Sequence, residues 1–246
     1  MIAFTVADRK NYPHALKLQN SFHKFHPDIE LKIYTDKDIK DNENYYRQKP
    51  MFARELIKDH EVVLGLDADQ IITGSLDYIF EQEYDAAVVM NFNRVDPPIY
   101  GPVSILDVPP TEYMNCGLVA MRSVKFIKHW WNLCNSYHFR NMQYREQDLL
   151  NILVHYGNYH VECLDFPDLI NNYHAWHGLI AKGEYNKVVL RDGKLILPKA
   201  DDNYPEQDKE IKVLHLAGGG NEKKIGDTYR LYFNEEVIKY IDGLVA

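Results

Sequence analysis

Short apolar runs and longer amphipathic segments alternate along this chain. Residues 2–7 are apolar, residues 31–35 alternate between apolar and polar side chains, and the segment between them carries an apolar stripe at helical spacing. A period of two indicates a strand and a period near 3.6 indicates a helix. The opening therefore predicts a βαβ unit, whose strands run parallel through a right-handed crossover. Asn11 is placed to cap the helix, with Pro13 in its first turn.

The same two periods continue to the end of the chain. They predict strands at residues 62–66, 84–90, 113–121, 161–166 and 211–216, and helices at residues 51–58, 123–137, 145–156 and 229–244. Asp192-Gly193 separates two short apolar runs, which predicts a β-hairpin with a type I′ turn. We expect a single α/β, Rossmann-like domain over residues 1–246, with a mostly parallel central sheet flanked by helices and a small antiparallel hairpin.

The composition narrows the class of protein. Of the 246 residues, 46% are hydrophobic and 26% are charged, which is typical of a soluble globular protein. The net charge of −8, without any pooling of Lys and Arg, argues against nucleic acid as a partner. No run approaches the roughly 20 apolar residues that cross a bilayer. The amino terminus lacks the basic start of a signal peptide, and the odd set Cys116, Cys134 and Cys163 fits no metal pair, so we expect a cytoplasmic protein.

Two carboxylates lie at the end of the buried strand predicted at residues 62–66. Side chains alternate along a strand, so Asp67 and Asp69 are expected to project to one side with Ala68 between them. Like charges this close are costly unless a cation neutralises them. A hard divalent metal, Mn²⁺ or Mg²⁺, suits carboxylate oxygens, and open α/β sheets bind ligands at the carboxyl ends of their strands. A solvated turn is the alternative for so short a motif.

A histidine and a glycine-rich segment follow the last predicted strand. His215 ends that strand, and Gly218 and the two glycines after it allow close approach of the backbone to a ligand. Together with the two aspartates, His215 makes a His/Asp/Asp set that suits a metal. Lys223 lies just beyond, within reach of a diphosphate. A strand-end histidine is otherwise an ordinary, partly buried polar residue.

Two more polar groups lie where predicted elements begin. Glu146-Gln147-Asp148 starts a helix, where acids also interact favourably with the helix dipole. Asn115-Cys116-Gly117 interrupts an apolar strand, where a glycine also marks a bulge. Each group is a weak signal by itself, but all lie at element ends within a βαβ framework.

With these motifs in order, the chain resembles the nucleotide-sugar-dependent glycosyltransferases of the GT-A fold, most closely the retaining family 8 type (the galactosyltransferase and glycogenin group). The resemblance runs collinearly from residue 2 to about residue 224, through Ala7-Asp8, Asn11-Tyr12, Phe52-Ala53-Arg54, Leu66-Asp67-Ala68-Asp69, Asn115-Cys116-Gly117, Glu146-Gln147-Asp148-Leu149-Leu150-Asn151, His215 and Gly218. This order is more specific than any one motif. It departs from the family at Asn221, which stands where the last motif has a lysine.

The resemblance implies how a donor nucleotide sugar is bound. Mn²⁺ or Mg²⁺ would bridge the diphosphate to Asp67, Asp69 and His215, and the base, with UDP favoured and GDP open, would lie against Thr5, Ala7, Asp8 and Tyr12. The phosphates or the sugar would meet Lys49, Arg54, Gly218 and Lys223, the last in place of the missing motif lysine. Asn115 and Gly117 would lie along the sugar and the acceptor. Glu146 would contact donor hydroxyls, and Gln147 would lie close to the anomeric carbon.

The resemblance favours transfer with retention to a hydroxyl of a glycan, a glycolipid or a protein glycan. In this reaction the leaving phosphate itself takes the acceptor proton. An inverting enzyme would need a general base, for which Glu146 and Asp148 are the candidates. A sugar-phosphate nucleotidyltransferase shares the architecture but needs a glycine-rich segment after the first strand, and residues 5–10 contain no glycine. A non-catalytic carbohydrate-binding protein has little reason to hold two aspartates and a histidine together.

Three segments of the chain are predicted to be irregular. Residues 36–48 are polar, residues 91–112 contain five prolines, and residues 171–178 are aromatic and polar. We expect the acceptor to bind at the second and third of these, and residues 91–112 to act as a lid on the acceptor side. Residues 1–90 would then be the nucleotide-binding half and residues 91–246 the acceptor-binding half. Peripheral membrane association and the oligomeric state stay open.

Overall fold

The computed structural model describes residues 1–39, 47–90, 112–136, 144–164, 169–170, 188–199, 207–216 and 233–246, together with Phe139, Met142 and Arg230. The strands are β1 (Ile2–Val6), β2 (Leu31–Tyr34), β3 (Val63–Asp67), β4 (Gln70–Ile72), β5 (Ala86–Met90), β6 (Met114–Met121), β7 (Val161–Leu164), β8 (Leu169–Ile170), β9 (Val189–Arg191), β10 (Lys194–Leu197), β11 (Lys209–Glu210) and β12 (Val213–His215). The helices are α1 (Tyr12–Phe25), α2 (Gln48–Leu56), α3 (Asp77–Glu81), α4 (Val124–Cys134), α5 (Glu146–Tyr156) and α6 (Glu235–Val245).

The central sheet has six strands in the order β2-β1-β3-β6-β5-β7. Strand β1 pairs parallel with β2 and β3, and β5 pairs parallel with β7, whereas β6 runs antiparallel to both of its neighbours. The predicted α/β fold with a mostly parallel sheet is therefore confirmed. The carboxyl ends of β1 and β3 lie side by side, with Val6 opposite Asp67.

Alternate side chains of β1 pack into two apolar layers on opposite faces of this sheet. Ile2 and Phe4 join the layer that contains residues of α2, α4 and α5, and Ala3 joins the layer that contains residues of α1 and α3. Burial on both faces explains why the central strands read as continuous apolar runs. The sheet is thereby clamped between helices, which makes its strand ends a rigid platform.

Two three-stranded sheets lie beside the central one. In one, β12 pairs antiparallel with β4 and parallel with β8, which places His215 opposite Gln70. In the other, β9, β10 and β11 pair antiparallel and share an apolar cluster with α6. The predicted hairpin of β9 and β10 is confirmed, and Asp192 and Gly193 take the positive φ values of 50° and 74° that a type I′ turn needs.

Some local predictions were wrong. Asn11 occupies the position before α1 but makes no capping bond through its side chain. Its backbone N–H donates to the Asp8 carboxylate. Helix α2 begins at Gln48, ahead of Pro50, since proline is tolerated in a first turn. Lys209 and Glu210 form β11, a strand that the pattern of apolar residues did not predict. No helix among the described residues is both long and apolar enough to cross a membrane.

Candidate active site

A cavity of about 220 Å³ opens at the carboxyl ends of β1 and β3. Val6 and Leu66 form its apolar wall, and the polar side chains around it are Asn11, Lys49, Asp67, Asp69 and Glu146. This is the edge at which open α/β sheets bind ligands. The placement of the predicted site is therefore the expected one for this topology.

Asp67, Asp69 and His215 converge beside this cavity. Asp67 ends β3, Asp69 follows in the turn to β4, and β12 brings His215 alongside because the Leu216 N–H donates to the Asp69 carbonyl. The His215 Nε2 atom lies 3.2 Å from Asp69 Oδ1 and 3.5 Å from Asp67 Oδ2. One ligand atom from each of the three residues falls within 4.8 Å of the other two. Residues about 150 positions apart in the sequence thus form one donor set.

Charge and burial in this donor set suit a hard divalent cation. The two carboxylates keep 39% and 25% of their side-chain surface exposed, and the His215 side chain keeps 2%. Burial disfavours a charged imidazole, but the facing carboxylates outweigh it and raise the pKa of His215 to about 9. The two carboxylates therefore favour a positive charge beside the His215 Nε2 atom. The residues present fit a Mn²⁺ or Mg²⁺ ion held by two oxygens and one nitrogen.

Lys49 supplies a fixed positive charge on the other side of Asp67. Its Nζ atom donates to Asp67 Oδ1 at 2.6 Å and to the Cys116 carbonyl at 2.5 Å. Burial disfavours both charges, yet their attraction holds the pKa of Asp67 well below its usual range and keeps that of Lys49 above its ordinary value. Gly65 makes room for the lysine, since a Cβ atom there would lie 3.3 Å from the Lys49 Cδ and Cγ atoms.

The three polar residues at the start of α5 occupy different environments. Glu146 lines the cavity, and its Oε2 atom is buried without a hydrogen-bond partner among the described residues. The Gln147 carboxamide oxygen accepts from the Cys116 N–H at 3.1 Å. Asp148 is fully buried and accepts from the Tyr113 hydroxyl at 2.5 Å and the Tyr144 N–H at 2.8 Å. Of these three predicted catalytic residues, only Glu146 lines the cavity.

Burial disfavours the charged form of Glu146 and raises its pKa to about 8, which favours the neutral acid at pH 7. Above pH 4.5 the unfolded chain releases this proton while the folded chain retains it, so wild-type stability falls as the pH rises toward 8. We expect Glu146→Gln to match wild type at pH 5 and to exceed it by up to about 4 kcal/mol at pH 9, at about 1.4 kcal/mol per pH unit over the range between the unfolded and folded pKa values. Denaturant unfolding in EDTA at pH 5, 7 and 9 measures this difference.

The exposed acid Glu55, on α2, gives the matched control. Glu55→Gln is expected to shift stability by the same small amount at each pH. A pH-independent difference between Glu146→Gln and wild type would show that Glu146 is charged in the fold.

The residues predicted to hold the nucleoside lie along the first strand and its loop. Ala7 packs with Ala15 and Ala68, which joins this loop to the aspartate pair. Asp8 accepts the N–H groups of Asn11 and Tyr12 through its backbone carbonyl, and Tyr12 is exposed. Thr5 is fully buried on β1. Asn11 carried part of the resemblance and was interpreted as a cap, but sequence reasoning gave it no role in the site, where it lines the cavity.

The other predicted residues fall in three places. Arg54 is exposed on α2 and holds its guanidinium 5.1 Å from the centre of the Trp131 ring, away from the residues that line the cavity. Asn115 and Gly117 lie in β6, and the Asn115 side-chain oxygen accepts from the Gly117 N–H at 2.6 Å. Gly218, Lys223 and the two predicted acceptor loops, residues 91–111 and 171–178, lie outside the described residues.

Solved structures of glycosyltransferases share this architecture. The galactosyltransferase LgtC, crystallised in complex with donor and acceptor sugar analogs, matches with a TM-score of 0.58 over 100% of this chain and 97% of LgtC, at 15% identity. A glycosyltransferase involved in glycosylation of the major capsid of PBCV-1 matches with a TM-score of 0.54 over 93% of this chain and 98% of its own, at 12% identity. This protein folds like a glycosyltransferase. The predicted resemblance is confirmed for the fold.

A third structural match is with a longer protein, and the sequence itself has no match. The glycosyltransferase GlyE of Streptococcus pneumoniae TIGR4 matches over 75% of this chain, with a TM-score of 0.51 and 14% identity, but the chain spans only 50% of GlyE. No protein-family model matches the sequence, and no curated protein does. The likeness to these proteins is therefore one of fold, at 12–15% sequence identity.

Proposed function

We propose that this protein is a metal-dependent glycosyltransferase that moves a sugar from a nucleoside diphosphate sugar to a hydroxyl group of a carbohydrate acceptor. One observation carries the proposal: Asp67, Asp69 and His215 converge beside an open cavity, next to the cationic Lys49. A diphosphate needs positive charge, and this cluster of acids acquires it only with a divalent cation. The fold shared with LgtC, a galactosyltransferase crystallised with donor and acceptor sugar analogs, supports the same reading.

Each residue has a task in this reaction. Asp67, Asp69 and His215 would hold Mn²⁺ or Mg²⁺, which supplies Lewis-acid stabilisation to the departing diphosphate. Lys49 fixes the Asp67 carboxylate and adds a positive charge to the same wall. Val6, Asn11 and Ala68 form the part of the cavity nearest the β1 loop, where we place the nucleoside, with a UDP-sugar as the favoured donor and a GDP-sugar as the alternative.

We propose retention at the anomeric carbon. The bond from this carbon to the diphosphate oxygen breaks, the acceptor oxygen bonds on the same face, and the leaving phosphate takes the acceptor proton. The environment of Asp148 supports this reading over inversion, because its carboxylate is fully buried and already accepts two hydrogen bonds. An inverting reaction would have to use Glu146, the acid that lines the cavity, as its general base.

A donor screen tests the proposal. Purified protein is incubated with a panel of UDP- and GDP-sugars in Mn²⁺, in Mg²⁺ and in EDTA, and the release of nucleoside diphosphate is measured together with that of pyrophosphate. We expect slow, metal-dependent hydrolysis of one donor class to nucleoside diphosphate. In a parallel reaction that supplies a sugar phosphate and a nucleoside triphosphate, release of pyrophosphate would indicate a nucleotidyltransferase instead. The absence of metal-dependent turnover with every donor, with nucleotide binding unchanged in Asp69→Ala, would contradict the proposal.

A further inference from the structure

Strand β6 carries an irregularity beside the candidate metal site. Its pairing with β5 shifts register between Val88, which lies opposite Val119, and Val89, which lies opposite Asn115. Residues 116–118 are therefore extra on the β6 side and are not paired with residues of β5. We call residues 115–118 the β6 bulge.

Side chains from three directions hold the peptide groups of the β6 bulge. The Cys116 N–H donates to the Gln147 carboxamide on α5, and the Cys116 carbonyl accepts from Lys49 on α2. The Gly117 N–H donates to the side chain of Asn115 within the bulge itself. These bonds replace the ladder bonds that the register shift removes, so the bulge is a fixed part of the site.

The backbone of Gly117 is the buried surface against which His215 packs. A Cβ atom at this position would lie 2.3 Å from His215 Cε1 and 2.8 Å from His215 Nδ1, and 2.7 Å from the side-chain oxygen of Asn115. Gly117 is not among the described residues with positive φ, so its conformation alone is open to any residue. A glycine is therefore required at residue 117 because neighbouring side chains occupy the space of a Cβ atom, and not because of backbone strain.

We propose that Gly117 is a positioning residue for the metal site: its missing side chain allows the His215 imidazole to lie on the β6 bulge, with Nε2 directed at Asp67 and Asp69. The ring is 98% buried and is bounded by β4 and the bulge, so it has little room to retreat. A methyl group at residue 117 would move the ring by about 1 Å to reach ordinary contact near 3.4 Å. This inference rests on the proposed function, because it assumes that the three residues bind a metal.

The test compares Gly117→Ala with Gly243→Ala, using Mn²⁺ as the only ligand. Gly243 lies in α6 with nothing within 4 Å of a Cβ atom, so its alanine variant controls for the substitution itself. We expect Gly117→Ala to weaken Mn²⁺ binding at least about 10-fold, the lower end for residues that orient a metal ligand. The imidazole nitrogen coupling in the electron spin echo modulation of bound Mn²⁺ should disappear in Gly117→Ala and persist in Gly243→Ala. Retention of both the affinity and the coupling in Gly117→Ala would overturn the inference.

A double-mutant cycle covers the case in which Gly117→Ala folds poorly. His215→Ala removes the ring, so adding Gly117→Ala to it should not change the Mn²⁺ affinity further, whereas the contact of the new methyl group with Asn115 lowers the melting temperature in both backgrounds. Additive losses of Mn²⁺ affinity would overturn the positioning role. If wild type itself shows no imidazole coupling to Mn²⁺, the proposed metal site fails; if wild type shows it and Gly117→Ala keeps it, only the role of Gly117 fails.

Discussion

Asp69→Asn is expected to lower the metal-dependent rate of donor turnover at least about 1000-fold, which corresponds to about 4 kcal/mol at tenfold per 1.36 kcal/mol. The reason for this loss is the position of Asp69 in the site. Asp69 faces the His215 ring at 3.2 Å and lines the cavity, so the amide keeps the shape of the side chain but removes a charged ligand from the donor set. Mn²⁺ titration of the purified variant, followed by turnover of the donor identified in the screen, measures both effects.

The exposed acid Asp59 provides the control for Asp69→Asn. Asp59→Asn makes the same chemical change at a residue that belongs neither to the donor set nor to the cavity lining. It should leave Mn²⁺ binding and turnover within twofold of wild type. If Asp69→Asn keeps wild-type Mn²⁺ affinity while folding normally, the assignment of Asp69 as a metal ligand is wrong.

Lys49→Met is expected to raise the KM for the donor at least about 10-fold while leaving the affinity for Mn²⁺ alone equal to or tighter than in wild type. With a divalent ion on two aspartates, Lys49 gives the cluster one net positive charge toward the diphosphate, and its loss leaves none. The same loss removes a cation that competes for Asp67, so the metal itself is not repelled. Opposite effects on donor and metal thus separate Lys49 from the metal ligands.

The exposed Lys58, just after α2, gives the matched variant. Lys58→Met should change neither quantity. Equal losses of donor and Mn²⁺ affinity in Lys49→Met would show that the lysine acts by holding the site together, and its role as an anion-binding charge would be rejected. Circular dichroism of both variants checks that each is folded.

Much of the fold could be predicted from local pattern. Asp192-Gly193 needs two positive φ values and thereby determines its hairpin, and Ser123 caps α4 as the apolar stripe after it suggests. The aspartate pair could be found because it ends an apolar strand, where charge is out of place. These signals lie within a few residues of each other, so the sequence exposes them directly.

Other parts of the site depend on contacts that no local pattern encodes. Asp148 and Glu146 are two residues apart and chemically alike, yet one is buried against Tyr113 and the other lines the cavity. Arg54 carried the motif resemblance, but it stacks near Trp131, while Lys49 makes the ion pair with Asp67. Each outcome is decided by which face of a helix meets the sheet.

The sequence by itself determined the α/β class, the parallel opening strands and the presence of an acidic pair at a strand end, since propensity and periodicity act over short distances. Only the tertiary structure decided that β12 pairs with β4, that the β6 bulge approaches His215 at Gly117, and that Lys49 reaches Asp67 across Gly65. These contacts join residues 18 to about 150 positions apart. Their free energy comes from burial and charge pairing across elements, which exists only once the sheet and its helices are packed.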